Sequence, residues 1–202
     1  MQGRFISLEG LDGTGKTTQC HLIAKWLRSQ NIDVIVTREP GDTTLGQKLR
    51  TILLNNGDYL TPLTQLMLFS ADRCQHVSEV IQPALDKGQW VICDRFTDST
   101  IAYQSFGHDL DLKSVDSVCQ IALQGLTPDL TLWLDAPLPM LISRWNEDSI
   151  ESSGIQFYSD VLDGYQFLSA IYPHRITRIN ADMDVDEVFW QCQRAIDSQS
   201  WF

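Results

Sequence analysis

Basic residues are scarce in this chain: 15 Lys and Arg stand against 26 Asp and Glu, a formal net charge of -11 over 202 residues. That balance argues against a nucleic-acid partner and leaves no basic stripe for a membrane surface, so any anionic ligand has to be caught by a few local cations. Paired cysteines are lacking as well. Cys20, Cys74, Cys93, Cys119 and Cys192 are scattered singly, with no CxxC or metal-ligand spacing. This excludes a disulfide framework or a cysteine-built metal cage and points to reduced intracellular thiols. No apolar run approaches membrane-spanning length, and no basic stretch followed by a long apolar one opens the chain, so the cytoplasm is the expected compartment. Repeats, low-complexity tracts and Pro/Gly/Ser linkers are missing too. The chain reads as a single domain over 1–202, and its 43% hydrophobic content allows a substantial core.

What is present is an anion trap. GLDGTGKT, Gly10 to Thr17, follows a short apolar run and precedes a helix-like stretch, the setting a phosphate-binding loop requires. Gly10, Gly13 and Gly15 let the backbone curl, so that the N–H groups of Gly10, Leu11, Asp12, Gly13, Thr14 and Gly15 turn towards a polyphosphate at the positive end of the next helix. Lys16 would reach the β- and γ-phosphates of a nucleotide such as ATP, and Thr17 would join the shell of a Mg²⁺ ion. The competing reading is a glycine-rich turn with Lys16 merely solvated.

Short β-rich runs at Phe5 to Leu8, Val34 to Thr37, Trp90 to Cys93, Leu130 to Leu134 and Arg175 to Ile179 alternate with longer helical stretches. The helices expected are Lys16 to Gln30, Leu45 to Leu54, Pro62 to Lys87, Leu112 to Leu123, Pro137 to Trp145, Gln156 to Ile171 and Val185 to Asp197. The alternation predicts an α/β fold: a five-stranded, mostly parallel sheet with helices on both faces and its ligands at the carboxyl ends of the strands.

The chemistry-bearing residues fall at that edge. In WVICDRF, Asp94 suits a Mg²⁺ ligand and Arg95 a phosphate clamp, unless the two are only a capping acid and its ion pair. Glu9, directly before the loop, is a second candidate metal ligand or an ordinary strand-end acid. In TREPGDTTLG, the Pro40–Gly41 turn presents Arg38 for another phosphate, or for a surface pair with Glu39 or Asp42. Phe69 and Arg73, four residues apart on one helix face, suit stacking on a base and donating to its edge, if they are not simply core Phe and surface Arg.

Taken in order, GLDGTGKTTQ, TREPGDT, LFSADRCQH and DRFTDSTIAYQ resemble the thymidylate kinase family, over essentially the whole chain. The resemblance implies a three-layer P-loop kinase fold with a short lid near 146–154 and ATP- and Mg²⁺-dependent phosphorylation of dTMP to dTDP, on the de novo and salvage routes to dTTP. It implies that Asp12 senses the 3′-hydroxyl, Arg38 and Arg95 hold the dTMP phosphate, Phe69 stacks on thymine and Arg73 addresses its edge. Ser99 and Gln104 would add hydrogen bonds around the base, and Tyr103 would crowd the 2′ position. It also implies a homodimer through apolar faces around Leu66 and Val118, and adenine contacts near Arg144, Asn180 and Ala181.

The chain departs from the family in its cations. Family members carry an arginine in the phosphate loop or in the lid; here Gly13 and Thr14 occupy the first place, and the lid reads NEDSIESSG, with no Arg or Lys from Trp145 through His174. Arg144 is the nearest substitute for assisting transfer, or a helix-end arginine on terminal carbonyls. Either Arg144 substitutes, or transfer runs on fewer cations and is slow, or the chain is a P-loop nucleotide-binding protein with weak or lost transfer activity. A related kinase with another base preference is opposed by Phe69, Arg73, Ser99 and Gln104.

Overall fold

The structure, a computed structural model, describes residues 2–55, 59–144 and 147–201, by backbone alone over 147–153. Five strands, β1 (Phe5–Glu9), β2 (Val34–Arg38), β3 (Trp90–Asp94), β4 (Leu130–Asp135) and β5 (Ile176–Asn180), form one sheet in the order β2-β3-β1-β4-β5. Every pairing is parallel, which goes further than the mostly parallel sheet expected. Each strand starts within one residue of its expected position, because a strand covered on both faces reads as an uninterrupted apolar run.

Side-chain alternation divides the core. Phe5, Val91 and Cys93 pack with Val77, Ile81, Ala84 and Leu123, whereas Ile6, Leu8 and Ile92 pack with Cys20, Ile23 and Leu27. The second group belongs to α1 (Lys16–Ser29), which lies beside α9 (Val185–Asp197). The first belongs to a long segment made of α3 (Pro62–His76), a π-helical turn (Val77–Ile81) and α4 (Gln82–Asp86), and to α6 (Leu112–Leu123). The single helix expected over 62–87 is thus interrupted. Pro83 brings no N–H for a carbonyl one turn back, and the wider π turn absorbs the defect.

Between β2 and α3 lies α2 (Thr44–Asn55), and α7 (Leu138–Ile142) is shorter than the helix expected over 137–145. The last long helix, α8 (Glu147–Ile171), begins earlier than expected and breaks at Gly154, whose φ of 76° and ψ of 152° are open to glycine and strained for other residues. Of the expected lid, Asn146 lies outside the described residues, as do the side chains of 147–153.

A helix that the sequence did not reveal follows β3: α5 (Thr97–Thr100) runs into a π-helical stretch, Ile101–Gly107. It packs along α8 so closely that a side chain on Gly164 would come within 2.9 Å of Ala102 Cα. This helix carries Ser99, Tyr103 and Gln104 to the sheet edge. Leu66 sits in the core, not on an interaction face; the exposed large apolar side chains of α3 and α6 are Leu63, Met67, Leu112 and Ile121.

Candidate active site

The glycine loop leaves β1, the central strand, and closes on α1. Gly10 has a φ of 133°, and a side chain there would meet the Leu134 carbonyl oxygen at 2.3 Å, so only glycine fits against β4. Thr14 Oγ1 donates to the Leu11 carbonyl at 2.8 Å, locking the curl, and Gly15, at φ 90°, opens α1. Lys16 is not a solvated first-turn residue: it is buried and its Nζ donates to the Leu11 carbonyl at 2.8 Å. Burial, and then the Arg95 guanidinium, bring its ammonium down to about 8, so it gains from any polyanion that settles beside it.

Asp94 and Arg95 do not pair with each other. Thr17 Oγ1 donates to Asp94 Oδ2 at 2.5 Å, and Arg95 Nη2 donates to Asp12 Oδ1 at 2.7 Å. Arg95 adopts a φ of 71°, in the left-handed region, which turns its guanidinium from the strand end over the Tyr103 ring, 5.2 Å from the centroid. The guanidinium holds the solvent-exposed Asp12 carboxyl down at about 2.

Glu9 has a different job from the metal ligation expected of it. Its Oε1 accepts the Phe96 N–H at 2.8 Å and its Oε2 accepts the Ser99 hydroxyl at 2.5 Å, with no exposed surface left. Burial and the nearby Asp98 raise it to about 7. Ser99 in turn accepts from Arg95 Nη1 at 3.0 Å and from the Tyr165 hydroxyl of α8 at 2.9 Å. Glu9 therefore anchors the turn that aims Arg95. Sequence spacing carried no signal for this, because the contact depends on the positive φ at Arg95.

Two cavities adjoin here. The first, of about 360 Å³, is lined by Asp12, Gly13, Gly15, Lys16, Thr17, Thr18, Arg38, Glu39, Arg50, Asp94 and Arg95, and so gathers four cations of a strongly acidic chain. The second, of about 770 Å³, includes Phe69, Arg73, Arg95, Ser99, Tyr103, Gln104, Phe157 and Tyr158. Asp12, Glu39, Arg50 and Arg95 line both. Arg50 was not anticipated. It stands on α2 twelve residues beyond Arg38, and its Nη1 donates to the Pro40 carbonyl at 2.8 Å. Arg144 donates to the Gly13 carbonyl at 2.9 Å, which ties the end of α7 to the phosphate loop.

Arg73 is not a surface arginine but is only 2% exposed. Its Nε donates to Glu39 Oε2 at 2.9 Å, its Nη2 is ion-paired with the same oxygen at 2.8 Å, and its guanidinium lies 5.1 Å from the centre of the Phe96 ring. Glu39 is thereby taken from any surface pair with Arg38. Among the described residues, Arg73 Nη1 and Gln104 Oε1 are buried without a hydrogen-bond partner, although both residues line the second cavity. An orphan donor and an orphan acceptor at one wall are costly unless a ligand meets both.

Asp72 supplies a measurable pH dependence. Its Oδ1 accepts the Gly41 N–H at 3.2 Å, and burial followed by repulsion from Glu39 raises the carboxyl to about 6 from an ordinary 3.8. A raised carboxylate binds its proton more tightly in the folded state, so this group adds stability as pH falls through 6 towards 3.8 and none of that gain remains above 6. Asp72→Asn is expected to raise the unfolding midpoint at neutral pH and to flatten this part of the stability profile; thermal unfolding across that range checks it.

A polyphosphate end drawn into the first cavity and a second anion held by Arg95 from the other side would meet between Lys16 and Arg95, the layout of a P-loop phosphotransferase for small nucleotides. Relatives agree. A family profile described as thymidylate kinase matches residues 8–191. A curated thymidylate kinase of Synechococcus sp. (strain JA-2-3B'a(2-13)) is 48% identical over 185 residues, covering 91% of this chain and 89% of its own. One of Carboxydothermus hydrogenoformans is 43% identical, with 95% of each chain covered. The crystal structure of thymidylate kinase from Ehrlichia chaffeensis superposes with a TM-score of 0.82 at 34% identity, covering 98% of this chain and 99% of that one. The chain belongs to the thymidylate kinase family.

Proposed function

We propose that this protein transfers the γ-phosphoryl group of ATP to dTMP, giving dTDP, with Mg²⁺ as the metal. The observation that carries the base assignment is the orphan pair in the second cavity, Arg73 Nη1 as donor and Gln104 Oε1 as acceptor. Thymine offers the complement, a carbonyl oxygen at position 4 and an N–H at position 3. Cytosine reverses both, with an amino group and a bare ring nitrogen, and would leave both protein groups unmet. Phe69 supplies an aromatic face for the ring, and Tyr103 stands beside Arg95 at the sugar end.

Thr17 Oγ1 and Asp94 Oδ2, already adjacent, form a hard oxygen pair that suits Mg²⁺, which would screen the phosphate oxygens when bound. Glu9 is not part of that pair. Loop amides and Lys16 hold the donor phosphates, Arg38, Arg50 and Arg95 hold the acceptor phosphate, and Asp12 faces the sugar while fixing the Arg95 fork. Positioning and charge neutralisation supply the acceleration, with in-line attack by an acceptor phosphate oxygen and no covalent enzyme intermediate. Arg144, tethered at Gly13, takes the part of the absent loop or lid arginine. We also infer a homodimer across the exposed Leu63, Met67 and Ile121 of α3 and α6, and a cytoplasmic setting on the free thiols. No helix among the described residues is long and apolar enough to cross a membrane.

A coupled assay of ADP release with MgATP and dTMP, dUMP, dCMP or dGMP tests the assignment. Turnover should be confined to dTMP and, more weakly, dUMP; dominant turnover of dCMP would overturn it, and tight binding without turnover would mark a protein that has lost transfer. Arg144→Ala should lower kcat by about tenfold, less than the ~10²-fold cost of a buried donor because Arg144 is exposed to water and salt.

A further inference from the structure

The inner end of Arg73 rests on a chain of hydrogen bonds that the phosphate chemistry does not use. Glu39, which holds Arg73 through Oε2, accepts at Oε1 from His76 Nδ1 at 2.9 Å. His76 has no exposed surface. Its other nitrogen, Nε2, lies 2.6 Å from Thr37 Oγ1, and the Thr37 hydroxyl also contacts Asp42 Oδ2 at hydrogen-bond distance. Counting protons along this chain decides the state of the ring. Glu39, ion-paired with Arg73, can only accept, so Nδ1 carries a hydrogen. Asp42, open to solvent, is likewise an acceptor, so the single hydroxyl proton of Thr37 goes to it. The Thr37 oxygen then has only a lone pair to offer His76, and Nε2 must carry a hydrogen as well.

We propose that His76 is a buried imidazolium and the positioning residue that sets the Arg73–Glu39 pair at the base-reading wall, a reading that rests on the dTMP assignment above only for its effect on ligand binding. The charges around the ring fit a cation. Glu39 and Asp42 face it from the turn after β2, Asp72 and Arg73 from α3, and from β3 the thiol of Cys93, which burial and Glu39 push well above its ordinary range and keep neutral. Three carboxyl groups thus surround two cations. His76 stands three residues after Arg73, on the same helix face, so one turn of α3 presents both the reading group and the group that fixes its partner. A neutral ring would leave one contact without a proton: with hydrogen on Nδ1, that between Thr37 and Asp42; with hydrogen on Nε2, that to Glu39.

The first measurement needs neither a variant nor turnover. In a long-range ¹H–¹⁵N spectrum of the labelled wild-type protein, with His76 assigned by its loss in His76→Gln, both ring nitrogens should show protonated shifts at neutral pH. An unprotonated nitrogen would overturn the proposal. For function, His76→Gln should weaken dTMP binding, read by calorimetry, on the order of tenfold, the size seen when a group behind a binding residue is removed. Its kcat at saturating dTMP should stay within about threefold, since nothing that meets the transferring phosphoryl has changed. The preference for dTMP over dCMP should shrink by a similar factor. Unchanged dTMP affinity would overturn the positioning role. Thr37→Val, nearly isosteric, keeps the claim testable if His76→Gln does not fold: the ring should lose its Nε2 proton and dTMP binding should weaken, while Thr37→Ser restores both. A variant Thr37→Val that keeps a doubly protonated ring would also overturn it. Absence of dTMP turnover in the wild type would sink the functional assignment and leave the ring spectrum to decide the charge on its own.

Discussion

Replacing Arg95 with methionine is expected to lower kcat by about 10²–10³-fold, the cost of deleting one preorganised donor of charge, or ~3–4 kcal/mol of transition-state stabilisation. The expectation comes from position. Arg95, like Arg50, lines both cavities, and it alone of the two reaches Asp12 and Ser99 at once. Two polyanions cannot approach each other unless positive charge already stands between them, and in a chain of net charge -11 little is available elsewhere. Methionine keeps an unbranched apolar stem, so the main loss is of charge and of its fork of donors. The Lys16 ammonium, held down partly by Arg95, should titrate higher in the variant, moving the alkaline limb of kcat/KM upward. Steady-state kinetics over pH, beside a thermal-unfolding control, separate these effects. A variant within about threefold of wild type in kcat would remove Arg95 from the transfer step.

How far the sequence reached this site can be judged residue by residue. The glycine loop, Asp94, Arg38 and the Phe69–Arg73 pair were legible because each sits at a fixed offset from an apolar strand or along one helix face, the two periodicities that sequence exposes. The helix over 97–107 was not legible. Its sequence, TDSTIAYQSFG, is rich in β-branched and hydroxyl residues with weak helix propensity, and its packing against α8 overrides that preference. Glu9 was misread for a related reason: its carboxylate follows the Phe96 N–H, and where that N–H points depends on a backbone twist at Arg95 that no local pattern announces. Tyr165 reaches Ser99 from 66 residues away. His76 and Arg50 lay in plain view on the faces of their helices, but polar residues on amphipathic helices ordinarily meet water, and only the fold shows that these two point inward.

Glu39→Gln should be the most destabilising change at the base-reading wall, at ~3–5 kcal/mol, because it strips the counter-charge from a guanidinium that has no other ion-pair partner among the described residues. For a chain of this size that corresponds to a fall of roughly 10 °C in Tm. The cost arises from what is left behind, not from the strength of the bond itself: a buried pair offers little net stability over apolar groups of similar volume, but half of it buried alone is expensive. The double variant Glu39→Gln/Arg73→Met should therefore be more stable than Glu39→Gln by itself. It should not recover dTMP binding, since the donor that meets the base is gone. Chemical denaturation of the wild type, both single variants and the double variant gives the coupling directly. If the two losses simply add, Arg73 and Glu39 do not depend on each other, and the wall that reads the base is held by some other contact.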